Sequence, residues 1–136
     1  MRLEDCKKLA DRISTEECRS CFESVIGSYE DRTVDKTEFL GMILELTDRQ
    51  VMTYEVLENG IRDKIDGYIM NLWNTDSYDE VDSILSIVVN LGLVKTYQKI
   101  IDSIKNRENM SMEIYQEIQD CIAENGNDIS NPYRFL

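Results

Sequence analysis

Four cysteines and two runs of carboxylates are the residues whose type and spacing bear on chemistry in this chain. Cys18 and Cys21 form a CxxC, the spacing of a redox pair or of half a zinc site. A redox CxxC follows a strand in a βαβ unit, and no strand pattern precedes this one. A zinc site would need Cys6 and Cys121 to converge on the pair, because the sequence contains no histidine. All four cysteines fall on apolar helical stripes, so the expectation is reduced thiols, mostly buried. The missing histidine also removes the commonest general base and the commonest metal ligand. No glycine-rich phosphate loop is present, nor the Asp/Asn ladder of an EF-hand. The Glu-x-x-His pairs of helical di-metal sites cannot be built, and a cysteine nucleophile would lack its imidazole. The adjacent acids Glu16/Glu17 and Asp79/Glu80 point to different sides of a helix and read as solvated caps. The sequence therefore assigns no catalytic residue, no metal ligand and no cofactor, and the chain reads as a non-enzyme.

The carboxylates are a surface rather than a catalytic signal. Glu113, Glu117, Asp120 and Glu124 recur at i, i+4, i+7 and i+11, which places them on one stripe of a helix. No Lys or Arg falls between 108 and 133 to relieve their repulsion. A second base-free stretch, 74–94, holds Asp76, Asp79, Glu80 and Asp82 beside Trp73 and Tyr78. An acidic rim with an aromatic anchor suits a basic protein partner. On this reading Trp73, Asp76, Tyr78, Asp79, Glu80, Asp82, Glu113, Glu117 and Asp120 are the partner-binding residues. The alternative is a solvated helix face with Trp73 in the core.

Overall charge points the same way. The net charge is −12, and the halves on either side of Leu72 each carry −6, so there is no acidic tail. Such a balance repels nucleic acid and anionic lipid, whose affinity comes from Lys and Arg. It speeds encounter with a basic partner, although acidity also serves solubility alone. No apolar run reaches the roughly 18 residues of a membrane span. Met1 to Asp5 lacks the basic-then-apolar pattern of an export signal, so a cytoplasmic protein is expected. No small-molecule ligand is expected.

The elements that position these residues are helices. The apolar period is helical throughout, with no strict alternation. Leu3, Cys6, Leu9, Ala10 and Ile13 line a first helix. Ser14-Thr15-Glu16-Glu17 caps a second, with Cys18, Cys21, Phe22, Val25 and Ile26 on its stripe and Gly27 at its end. Asp35-Lys36-Thr37-Glu38 caps a third that is apolar nearly all round. Thr47 to Gln50 reads as a further capping box, and Asn59-Gly60 as a helix stop or a kink. Ser77 caps a helix carrying Val81, Ile84, Leu85, Ile87, Val88 and Val89, which Gly92 ends. Leu93 to Ile104 and Ser111 to Asn125 complete the set, and 127–136 is a tail holding the only proline.

These elements predict one all-α domain over 1–136, a bundle of six to seven helices. Its core is expected at Phe39, Leu40, Ile43, Leu44, Ile84, Leu85, Val88 and Val89. Phe39 to Leu46 matches Ile84 to Leu91 at an offset of 45, and Val51 to Tyr54 matches Val94 to Tyr97 at 43. Periods of about 40–47 belong to HEAT- or armadillo-like helix pairs, the alternative to an irregular bundle.

The segment Leu72-Trp73-Asn74-Thr75-Asp76-Ser77-Tyr78-Asp79-Glu80-Val81-Asp82, the run Leu85 to Leu93 and the ending Ile129-Ser130-Asn131-Pro132-Tyr133 carry a resemblance. Over roughly its second half the chain resembles the small α-helical immunity proteins of contact-dependent growth inhibition and other polymorphic toxin systems. The resemblance implies an antidote that binds a cognate toxin domain, often a nuclease, and blocks it. It carries no catalytic residues across. A phage-type inhibitor or nucleic-acid mimic would share the acidity, whereas a helical adaptor would instead expose apolar residues along a concave face.

Overall fold

The computed structural model describes residues 1–135, and these form seven α-helices with no β-strand among the described residues. The chain folds as two compact units, Met1–Arg62 and Asp63–Leu136. None of the described helices is long and apolar enough to cross a membrane.

The first unit holds α1 (Leu3–Lys7), α2 (Thr15–Glu30), α3 (Lys36–Val51) and the start of α4 (Asn59–Leu72). Local caps set two of these starts: Ser14 Oγ accepts the Glu17 N–H at 3.1 Å, and Asp35 Oδ1 accepts the Glu38 N–H at 2.8 Å. Each satisfies an amide that the helix cannot, which stabilises by about 0.5–2 kcal/mol. α2 and α3 bury Phe22, Val25, Phe39, Met42, Ile43 and Leu46. The Tyr29 ring stacks on Phe39 at 4.0 Å.

Four sequence expectations are corrected in this unit. α1 stops at Lys7 rather than running to Ile13. The segment after it is held instead by Arg49, which donates to Leu9 O at 3.0 Å and Ala10 O at 3.3 Å. The same guanidinium donates to Glu45 O and Glu45 Oε2, so a 6 %-exposed cation makes four hydrogen bonds, one of them to a carboxylate. α2 passes through Gly27 to Glu30. Thr47 starts no helix, because α3 continues to Val51 and the Thr47 hydroxyl donates to Ile43 O at 2.7 Å. Asn59-Gly60 is a beginning and not a stop: Glu58 Oε1 accepts the Gly60 N–H and Oε2 the Ile61 N–H, at 2.8 and 3.0 Å. The 43-residue overlay therefore pairs Val51–Tyr54, where α3 ends in a turn, with Val94–Tyr97, where a helix starts.

The second unit holds the rest of α4, α5 (Tyr78–Leu91), α6 (Val94–Ser103), a 3₁₀ turn (Ile104–Asn109) and α7 (Met112–Asn125). Ser77 and Ser111 cap α5 and α7 as their sequences suggest. Gly92 ends α5 with φ of 72°, a left-handed position that glycine occupies without a Cβ penalty. Of the expected core residues, Phe39, Leu40, Ile43, Ile84, Leu85 and Val88 are buried. Leu44 and Val89 are only half-buried. Residues 127–135 are a docked segment: Ile129 is buried, and Arg134 donates to Asn125 O and Oδ1 at 3.1 Å.

α6 has no cap of its own, since its N-cap residue is Leu93. Asp66 of α4 supplies one from 30 residues away. Its carboxylate accepts the Lys95 N–H at 2.9 Å, the Thr96 N–H at 2.9 Å and the Thr96 hydroxyl at 2.6 Å, at a side chain 3 % exposed. Lys99 Nζ adds a bond to Met70 O at 2.9 Å. Asp66→Ala strands the buried Thr96 amide and the part-buried Lys95 amide, while the Thr96 hydroxyl keeps its bond to the main-chain carbonyl of residue 66, so we expect a loss of at least about 2 kcal/mol in a urea unfolding curve. Thr96→Val should lose less, because the two amide bonds remain.

Candidate functional site: an acidic groove between α5 and α7

The two acidic stretches meet. The Ser77 cap starts α5 so that Asp82, Leu85, Ser86 and Val89 fall on one side of it. Ser111 starts α7 so that Glu117, Asp120, Cys121, Glu124 and Asn125 do the same. Together they line a groove of about 270 Å³. Four carboxylates stand around a floor made by Leu85, Val89 and the Cys121 thiol.

Two of the four carboxylates, Glu117 and Asp120, are held by neutral donors. Tyr78 Oη donates to Glu117 Oε2 at 2.9 Å, tying the first turn of α5 to the middle of α7. That bond, burial and the charges of Glu117, Asp82 and Glu113 all push the Tyr78 hydroxyl above its usual range. Gln116 Nε2 donates to Asp120 Oδ1 at 2.8 Å. Beside them Asn125 Nδ2 donates to Cys121 O at 2.8 Å and lies 3.7 Å from Cys121 Sγ. Burial pushes the Cys121 thiol up, partly opposed by Asn125 and reinforced by Glu124 and Glu117.

Such a surface can hold a cation. An arginine or lysine stem would lie on the apolar floor while its head reached the carboxylates, each charge-assisted bond being roughly twice as strong as a neutral one.

Placement of the residues expected from sequence is uneven. Tyr78, Asp82, Glu113 and Glu117 gather around one hydroxyl, and Asp82, Glu117 and Asp120 line the groove. Trp73 does not serve as an exposed anchor: it is 8 % exposed and belongs to the core. Asp76 sits in the α4–α5 loop, its N–H donating to Asn74 Oδ1 at 3.0 Å. Glu80 turns back to the same loop, accepting from Asn74 Nδ2 at 2.9 Å. Asp79 is exposed on the first turn of α5 and lies outside the groove lining. The binding set read from sequence omitted Glu124 and the floor. Their signal was two matched stripes, 82, 85/86, 89 and 117, 120/121, 124, at the i, i+3/i+4, i+7 spacing of facing helices.

The CxxC has no comparable surroundings. All four cysteines are free thiols; Cys6, Cys18 and Cys21 are buried, and Cys121 is half-buried. Burial pushes the Cys6 and Cys18 thiols up to about 11. No cluster of three or more Cys, Asp or Glu among the described residues is placed to hold a metal ion. Because the thiolate is the reactive form, native protein titrated with a thiol reagent near neutral pH should react at Cys121 first. Cys6 and Cys18 should stay slow until the chain is unfolded.

Comparison of the chain with protein-family models, with curated proteins and with solved structures finds no match.

Proposed function

We propose that this chain is an immunity protein, a cytoplasmic antidote that neutralises a cognate toxin domain by one-to-one protein–protein association and catalyses nothing itself. The observation that carries the proposal is the groove between α5 and α7, where four carboxylates converge on an apolar floor. Both helices come from the base-free stretches of a chain with net charge −12. A basic nuclease domain is the partner this surface suits best. Groove carboxylates would take the places of substrate phosphates on the toxin's cationic surface, and opposite charge would speed the encounter. The similarity to immunity proteins in the Leu72–Asp82 and Leu85–Leu93 segments supports the same reading. Under it the chain contacts neither nucleic acid nor membrane and needs no cofactor.

Charge reversal tests the proposal. Asp82→Lys with Asp120→Lys brings the groove's four negative charges to a net of zero without removing the Tyr78–Glu117 bond. Glu16→Lys with Glu23→Lys, both exposed on α2, changes net charge equally elsewhere. With a cognate basic toxin domain as probe, the groove variant should bind at least about tenfold more weakly, chiefly through a slower association rate. The α2 variant should lose much less and still protect cells. Equal loss in the two variants, or unchanged protection by the groove variant, would defeat the groove mechanism.

A further inference from the structure

The dipeptide Asn-Gly occurs twice, at 59–60 and 125–126. In this pair the glycine nitrogen can attack the preceding side-chain carbonyl carbon, because glycine has no Cβ to obstruct the approach. The fold treats the two copies differently. At the second, Asn125 Nδ2 donates to Cys121 O, Asn125 Oδ1 accepts from Arg134 Nη2 at 3.1 Å, and the Gly126 N–H donates to Ile122 O at 2.9 Å. A helix end and the docked tail must both open before that nitrogen can reach Asn125 Cγ.

At the first copy the two reacting groups are near the surface and already polarised. Asn59 is exposed at the first position of α4. Its Oδ1 accepts from Arg62 Nη2 at 3.1 Å, a cation placed where negative charge develops when the carbonyl is attacked. The Gly60 N–H has no intrahelical partner and donates to Glu58 Oε1 at 2.8 Å, a carboxylate able to receive its proton. Only the fraying first turn of a helix has to open.

We propose that Asn59 is a site of intramolecular deamidation that remodels the start of α4. A bond forms between Gly60 N and Asn59 Cγ, the Cγ–Nδ2 bond breaks, and the Gly60 proton leaves with ammonia by way of Glu58. Water then opens the cyclic imide at either carbonyl. Attack at Cγ gives aspartate, which favours the positive helix end; attack at the main-chain carbon gives isoaspartate, which adds a methylene to the backbone. Either product adds one negative charge.

The test is prolonged incubation of the full chain in mildly alkaline buffer, native and in denaturant, followed by peptide mapping with isoaspartate detection. In denaturant the two pairs should convert at similar rates. In the native chain Asn59 should convert at least about tenfold faster than Asn125, the ratio produced by roughly 1.4 kcal/mol of extra opening cost. Gly60→Ala should slow conversion at 59, since the added Cβ would meet only the flexible Glu58 carboxylate, at 3.1 Å, and so leave the fold intact. Native rates that are equal or reversed, or an Asn59 that converts only in denaturant, would overturn the proposal.

Discussion

The second unit depends on one buried carboxylate. α6 begins at a residue with no polar side chain, so its first amides have no local partner. Asp66 reaches across from α4, accepts two of those amides and takes a third bond from the Thr96 hydroxyl. Once α6 is fixed, its Tyr97 hydroxyl donates to Gly126 O at the end of α7. Arg134 then closes the chain on Asn125 next door. The acidic wall that α7 presents is thus positioned by contacts that lead back to a group no sequence neighbour of α7 supplies.

The groove is acidic at a cost that the structure offsets without cancelling its charge. Elsewhere carboxylates meet cations: Glu38 accepts two bonds from Arg2 at 2.8 Å, and Glu45 meets Arg49 at 2.6 Å. Hydrogen bonding from Arg2 and from the Leu3 amide pushes the Glu38 carboxyl down to about 2. At the groove the donors are Tyr78 and Gln116, which orient Glu117 and Asp120 but leave their negative charge in place. A surface built only for stability would gain from i,i+4 bases here. Retaining the charge fits a surface whose cation comes from another molecule.

Much of the fold was legible because caps are local. Ser14, Asp35, Ser77 and Ser111 each satisfy an amide three residues on; the first three are marked in sequence by a Glu at that spacing, and Ser111 by its place before an apolar helical stripe. The same logic failed at Thr47, whose hydroxyl turns back to Ile43 O inside a helix that tertiary packing carries through. It failed again at Asn59-Gly60, where Glu58 is the cap and its long side chain was not considered. The Asp66 clamp joins residues 30 apart and leaves no periodic trace. For the site, the carboxylate stripes were legible as helix faces, but which faces meet was not. Trp73 looked like an anchor because it borders acids in sequence, while the chain just past the end of α4, where the Trp73 N–H donates to Ile69 O, places it in the core.

Amide hydrogen exchange on this chain, alone and mixed with a cognate basic toxin domain, tests the central claim most directly. The α5–α7 groove as the binding surface predicts added protection in segments 78–91 and 112–125, weakening as salt is raised. Protection confined to residues 1–62, or none at all with the partner at saturating concentration, would contradict it.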